Sequence, residues 1–259
     1  MIDWHRLFGL ALIDFFTDSP FVVELEKDLS MKRQLLDVVI LKKQAGEFPG
    51  RLPDGLDNLV EHNLLSYKSM REPLDDWTLD ELTGHYVNYR KQISPSLSKL
   101  LPKGRFRLYG VSTRFPQKLD NQVRLEALEA GVYEVVWGTH RIRILVLSEM
   151  PEGEHNSIWH LFSGVQEKVL SGATQYQKHM EDMSTIINQL FENYQLEGIV
   201  MPYTMEDFRR DYAREHLDEI LQRFSADERL QGLSADERLQ GLSVEEIKAY
   251  LEKQKKRRH

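Results

Sequence analysis

The sequence predicts an α/β protein, a mixed central sheet flanked by helices, with a helical extension on its C-terminal side. Three observations predict it. Trp4, Leu7, Phe8, Ala11 and Phe15 recur at helical spacing. Three short β-type runs follow, at 21–27, 35–43 and 63–67. A second helical pattern then leads into a fourth run at 105–113. Helix, strand, strand, strand, helix, strand is the order of a sheet covered by helices, not of a bundle or a sandwich.

Taking the elements in order, the first helix stops at Thr17-Asp18-Ser19-Pro20, because the residue before a proline avoids the α region. Phe21 to Lys27 alternates Val23 and Leu25 with Glu24 and Glu26, the period of a half-exposed strand. The two glutamates share one face, which borders either a cleft or solvent. Asp28 to Lys32 turns the chain into Leu35–Lys43, a buried run carrying a single acid, Asp37. A carboxylate inside so apolar a strand must coordinate or pair with something. Residues 44–58, with Gly46, Pro49, Gly50, Pro53 and Gly55, form a long turn-rich loop of the kind that often carries function. The third strand ends in Lys68, with Ser66 two positions earlier on the same face. Thr78-Leu79-Asp80-Glu81 reads as a capping box that starts the second helix. Leu79, Leu82, Tyr86 and Tyr89 give that helix its apolar face, and Glu81, His85, Asn88 and Gln92 form a polar stripe.

Ser94-Pro95-Ser96 breaks the helix, and Pro102-Lys103-Gly104 turns into the fourth strand. Two β-rich runs, 132–137 and 142–147, separated by Gly138-Thr139-His140-Arg141, read as a hairpin that extends the sheet. Helical spacing returns over 158–170 and 180–194 and continues as a charged helix over 204–223. These helices cover the sheet or mediate self-association, a homo-oligomer being the outcome in the second case. Ser225 to Leu233 is repeated at 234–242, each copy opening with Ser-x-x-Glu and closing with glycine. The chain is thus expected to divide into residues 1–150, a helical extension 151–224, and a repeat tail 225–259 that ends in basic residues.

With no cysteine in 259 residues, disulfides, thiolate zinc sites and cysteine nucleophiles are excluded. A bound metal would take oxygen ligands, which suits magnesium or manganese. No apolar run approaches the roughly 20 residues of a membrane-spanning helix. The opening Met-Ile-Asp-Trp-His-Arg lacks the basic start and cleavage site of a signal peptide, so a cytoplasmic location is expected. Phosphate-loop, dinucleotide and nucleophile-elbow signatures do not occur. The net charge of −7 argues against nucleic acid, but its distribution argues otherwise. From Leu82 to Leu119 there is no acid, while Arg90, Lys91, Lys99, Lys103, Arg105, Arg107, Arg114 and Lys118 are all basic. That segment is either a phosphate-binding face or a chance run on a solvated surface.

Asp37 on one strand, the stretch His62-Asn63-Leu64-Leu65-Ser66-Tyr67-Lys68-Ser69 on the next, and Val23-Glu24-Leu25-Glu26 ahead of both resemble the PD-(D/E)XK nuclease superfamily, in its recombination-promoting, transposase-like branch. The resemblance implies the αβββαβ core of restriction endonucleases over residues 1–150, and a magnesium-dependent endonuclease that hydrolyses DNA, linked to recombination or mobile elements. In relatives the last stretch reads His-Asn-Ile-Ile-Glu-Tyr-Lys-Ser, so Ser66 stands where the motif has its second acid. Some enzymes of the superfamily make this exchange and supply the carboxylate from the following helix, where Glu81 lies 13 residues after Lys68.

The resemblance therefore implies Asp37, Lys68 and Glu81 as catalytic residues, with Mg²⁺ or Mn²⁺ held by Asp37, Glu81 and Glu24 or Glu26. Asp80 is the alternative helix ligand. Arg90, Lys91, Lys103, Arg105 and Arg107 are then the DNA-binding residues. Two competing readings remain. Asp37 and Lys68 form a buried ion pair of no catalytic use, or the chain is a degenerate nuclease fold that binds nucleic acid or self-associates without cleaving.

Overall fold

The computed structural model describes residues 4–28, 35–180 and 183–199 and isolated positions between 210 and 248, with the backbone alone for 26–28 and 35. The chain divides into two compact units, Met1–Phe208 and Arg209–His259.

In the first unit, α1 (Trp4–Phe15) is followed by β1 (Phe21–Asp28), β2 (Leu35–Lys42), β3 (His62–Lys68), α2 (Asp76–Ile93) and β4 (Phe106–Ser112). This is the order expected from the hydrophobic periods. After β4 come α3 (Gln117–Gln122), β5 (Glu126–Glu129), β6 (Val132–Trp137), β7 (His140–Val146), α4 (Ser157–Leu161), α5 (Gln166–Gln175) and α6 (Met183–Leu196). The strands form one mixed sheet in the order β1-β2-β3-β4-β7-β6-β5. β1, β2 and β3 are antiparallel neighbours, whereas β3, β4 and β7 run parallel. The loop 43–61 joins β2 to antiparallel β3 and a tight turn joins β6 to β7, while α2 makes the crossover that brings β4 parallel to β3.

The period of two along each strand builds a core on either face. Leu64, Leu108, Ile142 and Ile144 pack with Leu79, Leu82, Tyr86 and Tyr89 of α2. Leu65, Tyr67, Tyr109, Val111 and Leu145 pack with α1 and with α4, α5 and α6. Phe8 anchors the second core, stacked on Tyr67 at 4.2 Å between ring centroids and edge-on to Phe162 at 5.2 Å. Asp14, fully buried on α1, accepts hydrogen bonds from the Tyr176 hydroxyl (2.6 Å) and the His179 amide (3.0 Å), and from the Met180 amide. A buried carboxylate satisfied in this way ties the segment after α5 to α1.

Several expected boundaries differ. The second helix starts at Asp76, not at Thr78: Asp75 is the cap, and its Oδ1 accepts from the Thr78 amide and the Thr78 hydroxyl, each at 3.0 Å. An aspartate three residues earlier offers as good a cap, so Thr78 becomes an interior residue and Glu81 is released from any capping role. The helix expected over 158–170 is two, broken at Ser163-Gly164, where Gly164 has φ +67. The β6–β7 hairpin forms as expected, but α3 and the wholly exposed β5 carry too little periodic signal to be foreseen.

Among the described residues no helix is long and apolar enough to cross a membrane. Most of the charged helix expected over 204–223, most of the second repeat copy, and the basic terminus lie outside the described residues. In the second unit the Arg229 amide donates to Ser225 O (3.0 Å) and the Ile247 amide to Ser243 O (3.1 Å), and Gly232 has φ +85.

Candidate functional site

The parallel run of β3, β4 and β7 gives the sheet two chemically different ends. At the carboxyl end of β3, the β2–β3 register of Val38 against Leu65 and Val39 against Leu64 carries Asp37 to the position across from Ser66. The ladder stops there, and the carboxylate takes over. Asp37 Oδ2 accepts from the Ser66 hydroxyl at 3.1 Å and from the Tyr67 amide at 2.8 Å. The side chain therefore substitutes for a backbone acceptor at the end of the ladder and leaves Oδ1 without a hydrogen bond. Lys68, half-buried two residues beyond Ser66, accepts the Thr113 amide at its carbonyl oxygen (3.1 Å), while its ammonium makes no hydrogen bond or ion pair among the described residues. The buried Asp37–Lys68 ion pair is thus not formed.

From Lys68 the chain passes through Leu74 into α2. Leu74 lies over Gly110, the β4 residue in register with Ser66, where an added Cβ would meet Leu74 Cδ1 at 2.9 Å and Ile144 Cδ1 at 3.0 Å. That close approach sets the start of α2 against the sheet. Exposed Glu81 and half-buried His85, one turn apart, follow on the helix. His85 senses the whole group. Burial lowers its pKa, the charges of Glu81 and Asp37 oppose that shift, and the charge of Lys68 reinforces it. The imidazole is therefore neutral at neutral pH, and its Nδ1 is buried without a hydrogen-bond partner. Asp37, Lys68 and Glu81 are accordingly near enough to His85 for their charges to act on it, and Ser66 joins Asp37 through its hydrogen bond. Sequence reasoning placed His85 in the polar stripe but gave it no role; its signal was the spacing of four from Glu81.

Of the remaining expected ligands, Glu24 and Asp80 are turned elsewhere. Glu24 lies across from Val39, and its charge acts with that of Glu61 on Tyr89, toward the other end of α2. Glu26 occupies the register position across from Asp37, bracketed by Leu25–Val38 and Lys27–Leu36, and its side chain is outside the described residues. Asp80 accepts from the Trp137 indole at 2.9 Å and so is turned toward β6. Among the described residues no group of three His, Asp or Glu is arranged to hold a metal ion.

The expected DNA-binding residues gather at the opposite, amino end of the parallel strands. Arg105 pairs with Glu61 just before β3, and Arg90 Nε donates to Leu101 O at 2.7 Å. Lys103 Nζ donates to Thr139 Oγ1 at 3.1 Å, and Arg107 Nη1 to Phe106 O at 3.0 Å. Lys91 is exposed in the last turn of α2. At ~3.3 Å per residue, this end is roughly 20 Å along β3 from Lys68. The acid-free segment is one run in sequence but two groups in space: only Arg114 and Lys118, which follow β4, lie past the carboxyl ends of the parallel strands.

Comparison with family models, with curated proteins and with solved structures returned no match. The chemistry must therefore be argued from the cluster itself. Among the described residues it combines a carboxylate with one oxygen unused in hydrogen bonding, a second carboxylate on solvent-exposed helix, an ammonium without an ion-pair partner and a neutral imidazole. Magnesium usually keeps several waters and takes one or two carboxylates together with substrate phosphate oxygens, so Asp37 and Glu81 suit it in kind without a third protein ligand. The orphaned His85 nitrogen leaves the cluster one acceptor or donor short, which a bound water would satisfy.

Proposed function

We propose that the protein is a magnesium- or manganese-dependent DNA endonuclease that hydrolyses phosphodiester bonds at the carboxyl end of β3, in the recombination-promoting manner that its motif implies. The observation that supports this most is that the charges of Asp37, Lys68 and Glu81, from two strands and a helix, all act on one imidazole. Asp37 and Glu81 would hold the ion, which supplies an activated water and charge on the phosphoryl oxygens. Lys68, whose ammonium has no ion-pair partner among the described residues, would donate to the oxygen on which negative charge develops. Ser66 keeps Asp37 oriented by donating to Oδ2, which would leave Oδ1 available to the ion. Neutral His85 does not add a positive charge that would repel a dication.

A second reading has its own support. Ser66 replaces an acid, and no three-ligand group is present among the described residues, as in a nuclease fold that binds nucleic acid or self-associates without cleaving. Nicking of supercoiled plasmid by the full chain separates the two. The endonuclease reading expects nicking with Mg²⁺ or Mn²⁺ that EDTA abolishes and Asp37→Asn removes. Retarded plasmid without nicking in either metal would refute it and favour the binding module.

A further inference from the structure

At the amino end of β4 and β7 lies a cavity of about 410 Å³, far from Asp37 and Lys68. It is walled by α2, the start of β4, the β6–β7 turn and the loop at Asn58. Lys103, Arg107, Arg141 and Arg143 line it, with Glu134 as the single carboxylate of the lining. Arg141 is neutralised by Glu134 and Arg143 by Asp57, but Lys103 and Arg107 bond only to a hydroxyl and to carbonyl oxygens. Two lining residues also carry orphaned polar atoms. Tyr86, 3% exposed, has a buried hydroxyl with no partner, and Arg143, whose side chain is 11% exposed, has a buried Nε with none. Buried donors are nearly always satisfied, so two residues of the lining are left with an unmet polar group among the described residues. His140 reports the same field: burial lowers its pKa, and the charges of Lys103 and Arg90 lower it further.

We propose that this cavity binds a phosphate monoester carried on a nucleoside, at a site separate from the Asp37–Lys68 cluster. Excess cationic charge and several N–H donors match a dianion with three terminal oxygens. The volume lies within the range of small-ligand sites, roughly 300–1,000 Å³, so it exceeds what a bare anion fills. The half-buried ring of His140, backed edge-on by buried Tyr86 at 4.7 Å between centroids, is the aromatic group of the lining that an attached base would meet. Walls on four sides suit the end of a chain better than a running backbone. The monoester thus comes either from a free mononucleotide or from the 5′ end of a DNA strand.

Calorimetric titration of the full chain tests the site, with deoxyadenosine monophosphate, deoxyadenosine, and one oligonucleotide bearing either a 5′-phosphate or a 5′-hydroxyl. The proposal expects a phosphorylated probe to bind at least about tenfold more tightly than its unphosphorylated counterpart, the equivalent of one charge-assisted bond. Lys103→Gln with Arg107→Gln should abolish that preference, and Tyr86→Phe, which removes only the orphaned hydroxyl, should reduce it. Preference confined to the mononucleotide assigns a free ligand, and preference confined to the oligonucleotide assigns a strand end. Equal binding with and without the phosphate, or a preference unchanged in the folded double variant, would overturn the proposal.

Discussion

Asp37 is asked to do two jobs, and two substitutions separate them. Its Oδ2 accepts the Tyr67 amide at 2.8 Å, where the β2–β3 ladder has ended, and Tyr67 is 1% exposed. Asp37→Ala leaves that amide, and the Ser66 hydroxyl, without their acceptor. An unsatisfied buried donor costs ~1–3 kcal/mol, so a loss of about 2 kcal/mol is expected. For a unit of this size that is a fall of roughly 4–8 °C in Tm. Asp37→Asn keeps one carbonyl-type oxygen for the Tyr67 amide and should stay within ~1 kcal/mol of the parent. Under the endonuclease reading it should nevertheless nick plasmid no better than alanine, because an amide oxygen is a poor ligand for a hard dication. Urea melts and plasmid nicking on the same preparations check both halves. Unchanged stability in Asp37→Ala would refute the acceptor role; full nicking activity in Asp37→Asn would refute the charge requirement.

Three further outcomes are expected. Glu81→Gln should leave the urea midpoint within error, since Asp75 caps the helix and Glu81 is exposed, but should remove metal-dependent nicking; Asp75→Ala should cost about 1 kcal/mol. Asp14→Ala should be the most destabilising of these changes, ~3 kcal/mol or more by urea melt, because it orphans two amides and a buried phenol together. Burial of Asp54 disfavours its charge, but the Asn156 side chain, His155 and Arg51 outweigh burial and hold its pKa below the ordinary 3.8. Its stabilisation is then complete above the unfolded-state value and is lost as pH falls below 3.8 through the folded one, so the stability gap between wild type and Asp54→Asn should narrow on acidification in that window and stay level from pH 5 to 7.

Much of the fold was legible because its strands keep strict local periods. Val38 and Ile40 face one core and Val39 and Leu41 the other, an alternation visible without any partner strand. Asp37 was legible for the same reason, as the one charge in an apolar run. Pairwise geometry was not. Ser66 donating to Asp37 depends on a register that Asn63 helps to hold, its amide donating to Ile40 O and Val60 O at 3.0 and 2.8 Å across β2 and the preceding loop. The helix start was misplaced because Asp75 and Thr78 are both competent caps, and only the tertiary path of Leu74 over Gly110 selects between them. The spatial grouping of the basic segment was the least legible, since charge counted along a chain that crosses the sheet mixes residues from both of its ends.

That separation constrains how the proposed substrate can lie. β3 is central and covered on both faces, by α2 on one and by α1 on the other, so no duplex can run along it from Lys68 to Arg107. A path over the outside of α2 would first meet Asp76, Asp80 and Glu81, exposed carboxylates that repel a phosphate backbone unless a cation intervenes. DNA whose scissile phosphate reaches Lys68 must then be steered chiefly by charges at the same end of the sheet, of which Arg114 and Lys118 are the exposed ones after β4. Each phosphate contact contributes roughly 0.9 to the slope of log affinity against log salt, so Arg114→Gln with Lys118→Gln should lower that slope by about 2. Arg105→Gln, which removes a cation already held by Glu61, should barely change it. The reverse ranking would move the DNA to the amino end of β4 and separate binding from the Asp37 cluster, as a degenerate nuclease fold requires.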